Sequence, residues 1–494
     1  MNKSRKTQVV VVVGLVLGTV AARAAYSGAS TGLLPPPEIR LPSLNGKNPL
    51  LQAKHAHLPA GKKGDVQLKA ELDRTSVLNH GDAELHVAVT LDTHGLGTGT
   101  RVPTDFVVVL DQSGSMSGQK IEYGKQALRA LIERLNDHDR FALIAYASDA
   151  NVRVPIGDEA HVARERWLRA VEDIGVGGGT NISAGLSLGL AQLTERRGDE
   201  RAARVLLLSD GQANAGDTSI EGMGLLAREM TRADSVLSTI GIGADFDEEV
   251  MTSLARSGAG VFYYLAKLGT LPQLLDAELK TASETYAANA ELFVKLAPGV
   301  QLLSASGRSF DSEGGTAIVP LGSLYADHSQ QVWLTLKVPN GSLESQALGS
   351  LSARYRRDGQ PFEVSIEELP KVEVVADAES FEKGIVQPVW ERAVLEEDIA
   401  KSREQLGAAI RGGTAEDVDE AVASANLQRR LAEKLGNRRV LSTMQQLSDS
   451  AAQAKAAQAA GGLVRAAAAK NEAATSFSTR NRSNYKNVDP TLSY

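Results

Sequence analysis

The stretch Asp105-Phe106-Val107-Val108-Val109-Leu110-Asp111-Gln112-Ser113-Gly114-Ser115-Met116 decides the fold. A run of apolar, mostly β-prone residues leads straight into an oxygen-rich turn. Uninterrupted apolar residues suit a strand covered on both faces, as in a parallel sheet flanked by helices. Asp111, Ser113 and Ser115 then fall at the carboxyl end of that strand, where open α/β sheets hold their ligands. Their period-two spacing in a tight loop turns three short oxygen-bearing side chains toward one point. Such a cluster suits a hard cation such as Mg²⁺, which takes oxygen ligands and keeps some of its waters. A lone D-x-S-x-S also reads as a turn closed by Asx and Ser hydrogen bonds, so the rest of the chain has to decide.

Working outward, the region from Asp105 to about Ala288 alternates strands and helices. Ile121, Leu128, Leu131, Ile132 and Leu135 share one helical face, and Phe141 to Ala147 reads as a strand with Asn151 to Pro155 as its antiparallel edge partner. Helical spacing recurs at Trp167 to Ile174, Ile182 to Leu193 and Ile220 to Met230, with a buried strand at Val205 to Leu208. Strands follow at Val236 to Ile242 and Val261 to Tyr264, and Pro272 suits the first turn of a last helix. This order predicts an α/β fold with a doubly wound, mainly parallel sheet. The acidic run Asp245, Asp247, Glu248, Glu249 reads as the charged start of a helix. Gly175 to Thr180 lacks the Gly-Lys-Ser/Thr of a phosphate loop.

The D-x-S-x-S turn resembles the metal-ion-dependent adhesion site of von Willebrand factor type A (VWA) domains. In that family a threonine and a second aspartate from two later loops complete the site. Thr180 in Gly177-Gly178-Gly179-Thr180-Asn181 and Asp210 in Val205-Leu206-Leu207-Leu208-Ser209-Asp210-Gly211 match them, in the same order. The resemblance implies a metal set of Asp111, Ser113, Ser115, Thr180 and Asp210, holding Mg²⁺, with Mn²⁺ or Ca²⁺ as alternatives. It implies Ser113 and Ser115 as direct hydroxyl ligands, with Asp111 and Asp210 acting mostly through bound water. An ion held so keeps much of its charge, and an Asp or Glu of a protein partner becomes the favoured extra ligand.

The flanks differ in pattern. Residues 1–25 read as a secretory signal: Lys3, Arg5 and Lys6, an apolar core from Val9 to Val20, then Ala22-Arg23-Ala24. An uncleaved N-terminal anchor is the alternative, and no other stretch is apolar enough to span a bilayer. The expected location is exported, in the periplasm or at the cell surface. Residues 26–61 read as a Pro/Gly-rich linker. Residues 62–103 hold two alternating strands, too few to stand alone, so they are expected to pair with the β-sandwich segment at 289–376. The VWA region spans 104–288. A helical region is expected at 377–475, and a disordered tail at 476–494. Between Arg438 and Ala460 the helices are rich in Ala, with little bulk to bury; the favoured reading is marginal helices that order with a partner, and the alternative is a helical hairpin packed on the β domain. No site residue falls in this region, so it should be separable from metal binding.

Composition narrows the function. A net charge of −7 argues against nucleic acid as a partner. With no cysteine, thiol nucleophiles, disulfides and zinc-thiolate sites are excluded. There is no His-Glu-x-x-His, and the eight histidines are scattered, including His86, His94, His138 and His161. The expectation is a non-enzymatic, metal-dependent adhesion or scaffold module of the cell envelope. The alternative is a VWA-containing hydrolase or an accessory subunit of an envelope enzyme complex.

Overall fold

The computed structural model describes residues 61–481, apart from 82, 96–101, 195–200, 244, 424 and 461. The expected signal, most of the linker and residues 482–494 of the expected tail lie outside the described residues. Strand β1 (Thr104–Asp111) is buried along its whole length, as its apolar run requires. It is followed by β2 (Arg140–Tyr146), β3 (Ala150–Val154), β4 (Ala202–Ser209), β5 (Ser235–Ile242) and β6 (Ala259–Leu265). The sheet order is β6-β5-β4-β1-β2-β3. All pairs are parallel except β2 with the edge strand β3, which is antiparallel. Because β1 sits between β2 and β4, the chain winds outward from it in both directions. The crevice at the carboxyl ends of β1 and β4 is therefore the topological switch point of the sheet.

Helices cover both faces: α1 (Gln119–Arg134), α2 (Ala160–Glu172), α3 (Ile182–Thr194), α4 (Ile220–Arg232), α5 (Glu248–Ser257) and α6 (Leu271–Ser283). The spacing of their buried residues explains the packing; on α1 these are Ile121, Gly124, Ala127, Leu128, Leu131 and Ile132, one helical stripe. Asp247 caps α5 by accepting from the backbone N–H of Glu249 and Val250 at 3.0 and 3.1 Å. The acidic run there serves the start of a helix. Pro272 lies in the first turn of α6.

Against the amino-terminal ends of β4 and β6 stands a mainly antiparallel sandwich. Strands Gln67–Leu72 and Glu84–Asp92 form a four-stranded sheet with Ser329–Lys337 and Gln301–Ala305. Opposite it lies a six-stranded sheet centred on Thr285–Leu296, with Gly349–Arg357 and Thr316–Tyr325 on either side. Leu85, Val87 and Val89 point into the core between the sheets, with Leu292, Val294, Leu334 and Leu336. The α/β domain is thus inserted between strands of one sandwich. Strand alternation does not leave the other face of Glu84–Asp92 in water: His86 and Ala88 are buried there too. Ala88 and Trp333 pack against Val389 and Ala393 of the helix Gln387–Ala393.

The Ala-rich helices correct the sequence expectation. α7 (Ile399–Gly412), α8 (Arg438–Ala460) and α9 (Gly462–Asn481) pack within the chain around Leu406, Ile410, Val440, Met444 and Leu447. Small residues here permit close helix approach rather than denying burial: a methyl group on Gly407 of α7 would lie 3.2 Å from the Ala469 carbonyl of α9. The tail also starts later than the sequence suggests, since α9 runs through Ser476 to Asn481. Ser476 Oγ donates to the Ala400 carbonyl at 2.6 Å. Phe477 is buried in the α/β core, edge-on to Phe262 of β6 with ring centroids 6.2 Å apart.

Candidate metal centre

Three loops meet at the carboxyl ends of β1 and β4. The first is the turn 112–118 after β1, the second is 175–181 before α3, and the third is 210–219 after β4. Backbone hydrogen bonds knit them. Gly177 N–H donates to the Gln112 carbonyl at 2.8 Å, and Gly114 N–H donates to the Gly178 carbonyl at 3.3 Å. Gln112 N–H donates to the Tyr146 carbonyl of β2 at 2.8 Å. Asn214 ties the third loop to the second, because its Oδ1 accepts from Thr180 N–H at 2.8 Å and its N–H donates to the Thr180 carbonyl at 3.0 Å. Gly177 and Gly178, with φ of 155° and 84°, give the second loop its sharp course.

The five residues singled out from sequence all lie at this junction. Asp111 is fully buried. Its Oδ1 accepts from Ser113 N–H at 2.8 Å and its Oδ2 from Ser209 Oγ at 2.7 Å. The Ser113 and Ser115 hydroxyls are 3.0 Å apart, and Ser115 Oγ donates to Asp210 Oδ1 at 2.8 Å. A methyl group on Gly211 would lie 3.3 Å from Thr180 Oγ1 and 3.5 Å from Ser115 Oγ. Thr180 and Ser115 therefore converge on one small space that glycine leaves open. Asp111 and Asp210 are buried, as are Ser113 and Thr180, whereas Ser115 is exposed.

The electrostatics are acidic. Burial pushes the Asp111 carboxyl above the usual carboxylate range, the hydrogen bonds from Ser113 and Ser209 oppose this, and the charge of Asp210 adds to it. Burial, then the charge of Asp111, pushes the Tyr146 phenol well above its ordinary value. Two buried carboxylates sharing a site are costly unless a cation compensates. One cation is supplied by Lys120 of α1, whose ammonium pairs with Asp210 Oδ2. Sequence reading missed Lys120, Ser209, Tyr146 and Asn214. Ser209 stood beside a recognised residue and Asn214 four positions after one, in the same loop; Lys120 and Tyr146 arrive from separate elements. The donor set, hydroxyls and carboxylates with no nitrogen or sulfur, fits a hard divalent cation.

Among the described residues, His138, Glu159 and His161 bring three further donor atoms within 4.8 Å of one another. They lie at the opposite, amino-terminal end of β2. His138 Nδ1 is 2.9 Å from Glu159 Oε2, and Arg201 Nη1 is 3.5 Å from Glu159 Oε1. The Glu159 carboxylate already faces cationic groups, so this is a surface ion-pair cluster.

A parallel sheet with loops of this composition at its switch point defines a class, and comparison with known proteins agrees with it. Residues 105–277 match the von Willebrand factor type A domain, and the chain carries such a domain. It is 26% identical over 295 residues to an uncharacterized protein of Synechocystis sp., covering 58% of this chain and 68% of that one. It is likewise 26% identical over 197 residues to the uncharacterized protein YfbK of Escherichia coli, covering 40% of this chain and 34% of that one. To the human inter-alpha-trypsin inhibitor heavy chain H3 it is 26% identical over 231 residues, 41% of this chain and 26% of that one. The chain thus spans about two thirds of the first relative, about a third of the second and about a quarter of the third. In fold it resembles the von Willebrand factor type A protein of Catenulispora acidiphila, with a TM-score of 0.59 at 17% identity over 78% of this chain and 90% of that one. It also resembles the ArnB paralog VWA2 of Sulfolobus acidocaldarius, with a TM-score of 0.51 at 16% identity over 84% of this chain and 99% of that one.

Proposed function

We propose that this protein is a metal-dependent protein-binding module of the cell envelope, in adhesion or as a scaffold. In this reading Asp111, Ser113, Ser115, Thr180 and Asp210 hold Mg²⁺, and the ion docks an acidic group of a protein partner. One observation carries it: the Ser113, Ser115, Thr180 and Asp210 side chains, from three separate loops, converge beside Gly211 while Asp111 is held just behind them. The two serine hydroxyls would be direct ligands, and Thr180 would bind directly or through water. Asp111 spends its acceptor capacity on Ser113 N–H and Ser209, and Asp210 Oδ1 is held by the Ser115 hydroxyl. Both carboxylates are thereby suited to orient bound water rather than to touch the ion. A bound ion supplies positive charge with a coordination position open to a carboxylate. Exposed Val176, on the loop that ends at Thr180, offers the partner an apolar contact beside that position. The reading of residues 1–25 as a secretory signal supports the envelope location.

The test is retention of envelope proteins on the immobilised chain in Mg²⁺ and in EDTA, with Ser115→Ala alongside. A partner released by EDTA, lost with Ser115→Ala, and lost when its own docking Asp or Glu is replaced supports the proposal. A partner held equally well in EDTA and by Ser115→Ala contradicts it.

A further inference from the structure

Lys120 is placed where a cation is otherwise disfavoured. It stands in the first turn of α1, at the positive end of the helix dipole. Its side chain is 25% exposed, and its ammonium reaches across to Asp210, which has no exposed surface. The backbone makes room for it. Gly118, with φ of 77°, turns the chain into α1. At the end of β5, a methyl group on Gly243 would stand 3.6 Å from Lys120 Cε. Asp210 Oδ1 is held by Ser115 Oγ at 2.8 Å, so the ammonium on Oδ2 completes a chain from Lys120 through Asp210 to a hydroxyl of the proposed metal set.

We infer that Lys120 is a tethered cation that competes with the divalent ion for the charge of Asp210. Binding of the ion and withdrawal of the ammonium are then one exchange. This rests on the metal-site reading above. The physical reason is charge: a compact ammonium and a divalent ion a few ångströms apart repel strongly in a partly dry site. The flexible four-carbon stem of lysine allows the ammonium to leave for solvent without moving the helix. Lys120 therefore lowers the affinity for the ion, and keeps Asp210 neutralised when no ion is bound.

The test combines calorimetric titration with Mg²⁺ and Mn²⁺ and thermal melts in EDTA, on wild type, Lys120→Met and Lys120→Arg. Lys120→Met is expected to bind either ion at least about tenfold more tightly than wild type. In EDTA it should melt lower than wild type, because Asp210 then has no counter-charge. Saturating Mg²⁺ should close that gap, and Lys120→Arg should keep the wild-type affinity. Should Lys120→Met not fold in EDTA, Lys120→Gln, which retains a donor for Asp210, is titrated in its place with the same expected gain. An affinity in Lys120→Met equal to or weaker than wild type, with wild type binding normally, overturns the competition alone. Absence of binding by wild type and variants alike overturns the metal reading and this inference with it.

Discussion

Around Asp111 and Asp210, two buried carboxylates are served by one ammonium, that of Lys120, and by hydroxyl and amide donors. Around His86, where sandwich and helices meet, four carboxylates face four cationic groups. Asp73 pairs with Arg74 and with His86 Nδ1, at 3.1 and 3.3 Å. Asp398 meets His86 Nε2 at 3.4 Å, Glu397 meets Arg480 Nε at 3.4 Å, and Glu404 takes both Arg480 and Arg256. Both groups bury charge, but to different ends. The first leaves an excess of negative charge at the edge of a sheet, in loops, open at Ser115. The second balances its charges between packed elements, around a cavity of about 450 Å³, and joins the sandwich to α5, α7 and α9. A site for an ion needs the first arrangement; a joint needs the second.

The largest effect is expected at the joint. Phe477→Ala removes the ring that α9 inserts into the α/β core and should cost roughly 3–5 kcal/mol of stability. Denaturant unfolding checks it, and Mg²⁺ affinity should stay within twofold of wild type, because Phe477 touches no site residue. Next, His86→Gln leaves Asp73 and Asp398 short of a cation and should cost about 3 kcal/mol at neutral pH. Burial alone would lower the His86 pKa, but the carboxylates of Asp398 and Asp73 push it up to about 10. A folded pKa raised above the unfolded value near 6.5 gives stability that is complete below that value and is lost as pH rises toward 10. The gap in melting temperature between wild type and His86→Gln should therefore narrow from pH 7 to pH 10; a constant gap would contradict the charged histidine.

Glu397 gives a smaller effect of opposite use. Burial pushes its carboxyl up to about 7, against the charges of Arg480 and His86. A carboxyl with a raised folded pKa destabilises the fold as pH climbs from the ordinary glutamate value through 7, because the unfolded chain loses its proton first. Glu397→Gln should gain on wild type across that window by roughly 1–3 kcal/mol, read from melts at pH 4.5 and pH 8. A variant that loses ground as pH rises would show that the Arg480 pair outweighs burial.

The two regions also differ in how far sequence reveals them. The Asp105–Met116 run carries its own strand and turn, and Thr180 and Asp210 each follow a recognisable glycine-rich or apolar stretch. The parallel sheet is therefore a sum of local patterns, while it is the family resemblance that implies Thr180 and Asp210 join the first turn. Lys120 lies in a helix whose apolar stripe says nothing of its polar face, and its partner is ninety positions away. His86 sits on the face of its strand that alternation assigns to water, yet Trp333 and the helix Gln387–Ala393 cover that face. The joint draws on five separate stretches of chain, and no spacing rule links them. The packing of the Ala-rich helices is not legible from side-chain area, because small residues there permit close helix approach, as at Gly407 and Ala469.

In the proposed reading Asp111 and its neighbours hold a divalent ion on a sheet that folds without it. Calorimetric titration of wild type and Asp111→Ala with Mg²⁺, with circular dichroism as the folding control, tests it most directly. Val107, Val108, Val205 and Leu207 are fully buried in the sheet, so the variant should keep the wild-type spectrum. Its Mg²⁺ binding should fall at least about tenfold, through the lost acceptor for Ser113 and Ser209. A folded Asp111→Ala that binds Mg²⁺ as tightly as wild type would contradict the assignment.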